Sequence, residues 1–168
     1  MLGMENKINY LKGDVTSPVV KTGIRVIAHI CNDIGGWGAG FVLAISKKWA
    51  EPEREYRKLA KNNVGDFRLG VVQCISVGFS NSLGDSVWVA NMIAQHGCGW
   101  VNNVPPIRYD ALETCLNNLV YNLRDNKEAS VHMPRIGCGL AGGTWDKVEA
   151  IINKTLVANN IPVYVYDL

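Results

Sequence analysis

The chain alternates two kinds of hydrophobic pattern along its length. Short runs of apolar and β-branched residues, bounded by glycine, proline or charged positions, predict β-strands. Several runs are apolar at successive positions, which is typical of strands that are covered by helices on both faces. The predicted strands are Lys7 to Asp14, Ile24 to Cys31, Leu69 to Val77, Ser86 to Ala94, Ser130 to Pro134 and Ile161 to Leu168.

Between the strands, apolar residues recur at the spacing that places them on one face of an α-helix. A polar segment from Glu51 to Asn62 also predicts a helix, with Pro52 in the first turn, where a missing N–H does little harm. The alternation predicts an α/β protein, a three-layer α/β/α sandwich with a mixed, mostly parallel sheet of about six strands. The apolar stripes are Phe41, Val42, Ile45 and Trp49; Leu112, Leu116, Leu119 and Leu123; and Val148, Ile152 and Leu156.

Length and composition narrow the prediction further. The 168 residues show no linker or shift in composition, so we expect a single domain over residues 1–168. Lys and Arg number 17 against 15 Asp and Glu, so the chain has no basic stripe for a nucleic-acid backbone. The start lacks a signal-peptide pattern, and the five cysteines lie mostly in or beside apolar runs. We therefore expect a reduced, cytoplasmic protein without a membrane span. As a separate expectation, we take the chain to be a monomer.

Two glycine clusters each follow a predicted strand and precede a predicted helix. The first is NDIGGWGAGF, from Asn32 to Phe41, and the second is PRIGCGLAGGTW, from Pro134 to Trp145. Glycine permits positive φ angles and lets a ligand approach the main chain, and unpaired N–H groups at a helix N-terminus favour an anion. Loops after parallel strands converge at one edge of such a sheet. The pair therefore predicts backbone recognition of one diphosphate; the alternative is that both are tight turns.

The second cluster also contains a literal G-x-G-x-x-G at Gly137, Gly139 and Gly142, and Asp167 ends the next predicted strand. This matches the dinucleotide fingerprint. A Rossmann unit continues from its fingerprint through further βα units, and the sequence from Gly142 to Leu168 has no room for them. Nicotinamide-dinucleotide binding is therefore the weaker alternative, and no cofactor is expected.

Histidine and cysteine residues raise two further possibilities. His29 and Cys31, like His96 and Cys98, are two apart, a spacing that places both side chains on one face of a strand. That spacing matches no known zinc module, so we expect no metal. Cys138 lies in a loop near a helix N-terminus, which would lower its thiol pKa and favour a nucleophile. Its alternative role is that of a small buried side chain.

Polar and aromatic residues could complete a nucleotide site. Asp14 can accept a hydrogen bond from an exocyclic amine, or it can cap the turn that follows it. Asn32 can bind a sugar hydroxyl or serve as a turn residue. The aromatic side chains available either to stack on a base or to pack in the core are Trp37, Trp100, Trp145, Tyr164 and Tyr166.

Five segments together resemble the macrodomain family: KGDVTSP, AHICNDIGGWGAGF, NMIAQ, MPRIGCGLAGGTW and VYVYDL. The similarity is closest to the branch that contains ADP-ribose 1″-phosphate phosphatases and terminal ADP-ribose protein glycohydrolases. It spans nearly the whole chain, and the PRIGCGL loop followed by Trp145 is specific to that branch. The resemblance implies an α/β/α domain with a cleft for ADP-ribose or an ADP-ribosylated substrate.

The resemblance also implies ligand contacts. Asp14 would accept the adenine amine near the N–H of Val15, while Tyr166 and Leu168 would border the adenine. The glycine loops would flank the diphosphate and the distal ribose. Their contributing residues are Gly36, Trp37, Gly38, Ala39 and Gly40 in the first loop, and Gly137, Cys138, Gly139, Leu140, Ala141, Gly142 and Gly143 in the second.

For catalysis the resemblance is weaker. Gln95 and Ala141 stand where glycohydrolases of this branch have a lysine and an aspartate; an amide cannot form the adduct that an amine forms, and a methyl cannot take up a proton. His29 matches a histidine of phosphatase members, and Asn32 lies beside the first loop, so both are candidate catalytic residues; His29 is equally a candidate buried structural residue. We expect an ADP-ribose-binding hydrolase of ADP-ribose 1″-phosphate or of ADP-ribosyl esters, with a non-catalytic reader module as the alternative.

Overall fold

The computed structural model describes residues 7–62, 65–78, 80–126 and 128–168. Residues 1–6, on which the expectation about the start of the chain rests, lie outside the described residues. The strands are β1 (Asn9–Lys12), β2 (Ile24–Asn32), β3 (Val72–Val77), β4 (Ser86–Gln95), β5 (Ala129–Met133) and β6 (Val163–Asp167). The helices are α1 (Val42–Lys48), α2 (Glu51–Asn62), α3 (Tyr109–Leu123) and α4 (Trp145–Thr155), followed by a 3₁₀ turn at Val157–Asn159.

The six strands form one mixed sheet in the order β1-β6-β5-β2-β4-β3. Neighbouring strands run parallel except for β3, which pairs antiparallel with β4 at the edge. This confirms the predicted mixed, mostly parallel sheet. The central strands β2 and β4 are buried along most of their length, as their successive apolar residues predict.

Helices cover both faces of the sheet. Val26 and Ala28 of β2 pack in one hydrophobic cluster with residues of α3 and α4. Ile27 and Cys31 of the same strand pack in a second cluster with residues of α1 and α2. Because alternate side chains of a strand face opposite sides, these assignments establish the three layers.

The topology sets the two glycine loops side by side. The loops follow β2 and β5, which are hydrogen-bonded neighbours and run parallel, so their carboxyl ends lie at one edge of the sheet. Asn32 at the end of β2 pairs with Gln95 at the end of β4, across a bulge. Among the described residues, none of the helices has the length and apolar character needed to cross a membrane.

Candidate ligand-binding cleft

The two glycine loops meet over one cleft. A Cβ placed on Gly40 would lie 3.5 Å from Cδ1 of Leu140, so the loops touch across it. Below them are two adjoining cavities, of about 280 Å³ and about 270 Å³, which we call the first and the second cavity. Both are lined by Ile30, Ala39, Val42, Gln95 and Leu140.

Each cavity is lined mainly by one of the two glycine loops. The first cavity extends along the second glycine loop, from Pro134 to Gly137 and on to Ala141, with His29 at its wall. The second cavity extends along the first loop, past Asn32 and Gly36, to Cys98. The cleft therefore runs lengthwise between the loops.

Six of the eight loop glycines are explained by the protein's own structure. Four of them have φ angles between +76° and +80°, a region that other residues rarely adopt: Gly35, Gly40, Gly137 and Gly142. A Cβ at Gly143 would lie 2.6 Å from the carbonyl oxygen of Gly137, and a Cβ at Gly36 would lie 2.9 Å from Nδ2 of Asn32. Turn geometry and close packing account for these positions without a ligand.

Two loop glycines are not explained in this way. Gly38 lines the second cavity and Gly139 lines the first. Neither has a positive φ angle, and a Cβ at either position would meet no protein atom within 4 Å. The protein itself therefore leaves room for a side chain at both places, on the walls of the cleft.

Asn32 holds the first loop in shape. Its Oδ1 accepts hydrogen bonds from the N–H of Ile34 (3.1 Å) and of Gly36 (2.9 Å), while its Nδ2 donates to the carbonyl of Gly36 (3.1 Å) and to Sγ of Cys98 (3.5 Å). The hydroxyl of buried Tyr56 lies 2.6 Å from the carbonyl oxygen of Asn32. The amide of Asn32 is thus occupied by the loop.

His29 is buried under the first loop. Its Nε2 lies 2.5 Å from Oδ1 of Asn91, and its ring meets Trp37 edge-on at a centroid distance of 5.3 Å. Burial lowers the pKa of His29 to about 4, so the imidazole is neutral at neutral pH. Trp37 is buried as well and donates from Nε1 to Oγ of Ser46 (2.7 Å). Trp37 packs in the core and also lines the second cavity.

The second loop carries a cation that the site prediction did not include. Arg135 lines the first cavity, and its guanidinium donates to both carboxylate oxygens of Asp167, from Nε at 2.8 Å and from Nη2 at 3.1 Å. The guanidinium also lies over the rings of Tyr10 and Trp145, 5.2 Å and 5.1 Å from the centroids. The acidic residue of the dinucleotide fingerprint is therefore paired within the protein. Arg135 could have been singled out as the one basic residue in either glycine loop.

Cys138 does not have the environment of a nucleophile. Its Sγ lies 3.4 Å from the carbonyl oxygen of Ile136, and burial raises the pKa of its thiol, opposite to the lowering that its loop position suggests. Among the described residues, no group of three or more His, Cys, Asp and Glu is arranged to hold a metal ion. His96 instead pairs with Asp33, from Nδ1 to Oδ2 at 2.7 Å.

The residues assigned to the adenine line neither of the two cavities. Asp14 follows β1 and accepts at Oδ1 from the N–H (2.9 Å) and the hydroxyl (2.7 Å) of Thr16; these hydrogen bonds lower its pKa. Val15 and Tyr166 are buried in the cluster on the α1 and α2 side, and Leu168 is fully exposed. Asp14 therefore caps its own turn with one carboxylate oxygen.

A single lysine links this turn to the first glycine loop. Nζ of Lys48, the last residue of α1, donates to the carbonyl of Thr16 (2.5 Å) and to Oγ of Ser17 (3.0 Å). Helix α1 begins at Val42, two residues after Gly40. The turn at Asp14 and the first glycine loop are thus joined through one short helix.

The residues at the glycohydrolase positions do lie in the cleft. Gln95 and Ala141 both line the first cavity, and Nε2 of Gln95 donates to the carbonyl of Gly97 (3.0 Å).

Cys98, which the site prediction also omitted, lines the second cavity beside Asn32. Only the pairing of β2 with β4 brings Cys98 there; the sequence marked Cys98 as a possible metal ligand beside His96 and not as a residue of the cleft.

Comparisons with known proteins agree with the fold. The family model for the Macro domain matches residues 28–152. Chromodomain-helicase-DNA-binding protein 1-like of Mus musculus is 35% identical over 162 residues, 95% of this chain and 17% of that protein. This chain thus spans about one sixth of that relative. An ADP-ribose 1″-phosphate phosphatase of Candida albicans is 26% identical over 160 residues, 88% of this chain and 92% of that protein.

Solved structures are similar over most of the chain. A Bacteroides thetaiotaomicron protein of unknown function is 52% identical with a TM-score of 0.87, covering 97% of this chain and 99% of that one. A macrodomain protein from Streptomyces coelicolor is 47% identical with a TM-score of 0.79, covering 96% and 99%. Thermosipho africanus DarTG in complex with ADP-ribose is 18% identical with a TM-score of 0.74, covering 94% and 41%, a likeness of fold. This chain belongs to the Macro domain family.

Proposed function

We propose that this chain binds ADP-ribose, and that main-chain amides of the two glycine loops grip its diphosphate. The observation that carries this proposal is the pair of open glycines, Gly38 and Gly139, on the walls of the cleft where the loops meet. A ligand that approaches the backbone at these positions explains glycine where the protein's own packing does not. The two cavities together have a volume within the range of about 300–1,000 Å³ that is typical of ligand sites.

The charges around the cleft favour recognition by the backbone. Arg135 is the basic residue at the wall of the first cavity, and its guanidinium is already paired with Asp167. A pyrophosphate would therefore depend on N–H donors of the loops, which is the role that glycine-rich turns before helices perform. Asp14, which lies beyond the cavities beside buried Val15 and Tyr166, would then accept the adenine amine.

The relatives support the same ligand class. The Candida albicans relative is an ADP-ribose 1″-phosphate phosphatase of nearly the same length as this chain. The DarTG structure of similar fold contains ADP-ribose. Both ligands share the diphosphate between an adenosine and a second ribose, which matches a cleft that runs between two loops.

Calorimetric titration with ADP-ribose tests the proposal. We expect binding by the native chain, and a loss of at least tenfold in affinity for Gly38→Val and for Gly139→Val, because a branched side chain would occupy the ligand's path. Gly99→Val is the matched control, since Gly99 is also open, has no positive φ angle and lies outside the residues that line the cavities. A folded protein that shows no heat and no thermal shift with millimolar ADP-ribose would contradict the proposal, and tighter binding of NAD would favour the dinucleotide alternative.

Hydrolysis is a second candidate function, favoured by the phosphatase relatives, which match this chain over nearly their full length. We propose that a water molecule in the cleft hydrolyses ADP-ribose 1″-phosphate or an ADP-ribosyl ester without a metal. His29 and Asn32 are the residues expected to assist, and their contacts favour assistance by shaping the cleft over proton transfer. Turnover assays with both substrates separate an enzyme from a reader module, which would bind ADP-ribose and convert neither.

A further inference from the structure

A buried hydrogen-bonded chain runs beneath the turn that contains Asp14. It begins at Oγ of Ser130, which lies 2.8 Å from Nε2 of His132. Nδ1 of His132 lies 2.7 Å from the hydroxyl of Tyr166, and that hydroxyl accepts a hydrogen bond from the N–H of Val19 (3.0 Å). The chain thus connects the middle of β5, through β6, to the segment after β1.

The chemistry of the partners assigns the protons. The Tyr166 oxygen accepts a hydrogen bond from the N–H of Val19, so the hydroxyl proton of Tyr166 is free to point toward His132. Nδ1 of His132 is then the acceptor, and Nε2 carries the ring proton and donates to Ser130. This requires a neutral imidazole, in agreement with the burial that lowers the pKa of His132 to about 4.

The far end of the chain holds a compact turn. The N–H of Ser17 donates to the carbonyl of Asp14 (3.0 Å), and Thr16 donates twice to the Asp14 carboxylate. Tyr166 secures the next part of this segment at Val19, and its ring lies directly below the start of the turn, 3.7 Å from where a Cβ on Gly13 would be. Tyr166 thus contacts the segment that contains Asp14 on both sides, at Gly13 and at Val19.

We infer that His132 is a positioning residue for base recognition: by accepting the Tyr166 proton it fixes the Val19 amide and so aims Asp14 at the exocyclic amine of adenine. This rests on the proposed function, since it assumes that ADP-ribose lies in the cleft with its base at Asp14. Selectivity for an amino-purine is then set by a histidine that never touches the ligand. The contacts of the loop amides with the diphosphate do not depend on His132.

The test compares ADP-ribose with its analogue in which hypoxanthine replaces adenine, so that a carbonyl stands in place of the amine. A hydrogen bond to a charged group contributes about 1.5–3 kcal/mol, so we expect the native chain to prefer ADP-ribose at least about tenfold. Tyr166→Phe should reduce this preference, measured as the ratio of the two Kd values, at least threefold. Tyr164→Phe is the matched control on the same strand, because the Tyr164 hydroxyl makes no hydrogen bond with the described residues and its ring stacks on His132.

Two substitutions of the histidine sharpen the test. His132→Asn places an amide oxygen where Nδ1 lies and should keep much of the preference for ADP-ribose. In His132→Gln the longer side chain reaches toward Ser130 and not toward the Tyr166 hydroxyl, so this variant should lose the preference for ADP-ribose. Independently of any ligand, amide hydrogen exchange at Val19 should accelerate in Tyr166→Phe and in His132→Gln, and stay near the native rate in Tyr164→Phe.

The outcomes are distinct. If the native chain binds neither compound, the proposed function itself fails. If it binds both equally, Asp14 does not recognise the amine, and the inference is overturned while diphosphate binding stands. If the native preference exists but persists in folded Tyr166→Phe and His132→Gln, His132 does not position the base site.

Discussion

Nε2 of His29 lies 2.5 Å from Oδ1 of Asn91, its partner on the neighbouring strand β4. The amide nitrogen of Asn91 donates to the carbonyl of Pro52 and to Oε1 of Gln73, each at 3.1 Å. The oxygen of Asn91 must therefore accept from His29, which holds its proton on Nε2. His29 thus belongs to a satisfied polar network that joins β2 and β4 to the start of α2.

Substitution of His29 should therefore affect stability more than ligand binding. His29→Ala leaves the Oδ1 of Asn91 without its donor and opens a cavity beside Trp37, which together should lower the free energy of unfolding by about 2–4 kcal/mol. Urea unfolding measures this loss, and calorimetry on the folded variant should give an ADP-ribose Kd within about threefold of the native value. A fall of more than a hundredfold in ADP-ribose 1″-phosphate turnover at unchanged stability would instead give His29 a direct catalytic role.

The stability of the protein should fall in mildly acidic solution. His29 and His132 both have folded-state pKa values of about 4, below the unfolded value of about 6.5, because burial disfavours their charged forms. Between these values the unfolded chain binds protons that the folded chain does not, so stability decreases as the pH falls from about 6.5 to about 4. At about 1.4 kcal/mol per unit, the two histidines should together cost roughly 5 kcal/mol by pH 4.5. Urea unfolding near pH 7 and at pH 4.5 measures the change. A free energy of unfolding that is the same at both pH values would contradict the assignment of buried, neutral histidines.

Asn32 should control the shape of the first glycine loop. Asn32→Ala removes the acceptor for two loop N–H groups and the donor to Gly36, so we expect at least a tenfold loss of ADP-ribose affinity together with a lower melting temperature. Asn32→Asp keeps the acceptor and loses the donor, and its affinity should lie between those of the native chain and of Asn32→Ala. Equal affinities in all three proteins would show that the loop does not depend on this side chain.

The two kinds of loop glycine should respond differently to a single methyl group. Gly143→Ala would place Cβ 2.6 Å from the carbonyl oxygen of Gly137, so the melting temperature without ligand should fall by several degrees. Gly38→Ala meets no protein atom and should leave that temperature within about one degree, while the shift produced by ADP-ribose shrinks. Thermal melts with and without ADP-ribose distinguish the two, and a fall in the unliganded Gly38→Ala protein would contradict the assignment of Gly38 to the ligand.

Hydrophobic periodicity predicted the layers because both faces of β2 and β4 are covered, which leaves an unbroken apolar run in the sequence. It overestimated the lengths of two strands. Strand β1 ends at Lys12 because the chain turns at Gly13 and Asp14, and β3 begins only at Val72, after a turn at Gly70. The glycine loops were located correctly, since their position depends on local sequence and on the direction of parallel strands.

The side-chain networks could not be predicted in this way. His29 and Asn91 are 62 residues apart, and His132 and Tyr166 are 34 apart, so strand register alone brings each pair together. For Cys138, the sequence showed the nearby helix N-terminus but not the burial that raises its pKa. The monomeric state and the cytoplasmic location stay predictions.

The contact of Lys48 with Thr16 and Ser17 has a thermodynamic consequence for the whole cleft. Helix α1 carries the first glycine loop at one end and grips the base-side turn at the other, so ordering either end restrains both. Adenosine monophosphate and ribose 5-phosphate would then not bind as independent fragments. Each would strengthen the binding of the other by the same factor, and intact ADP-ribose would gain from a cooperativity that neither half displays alone.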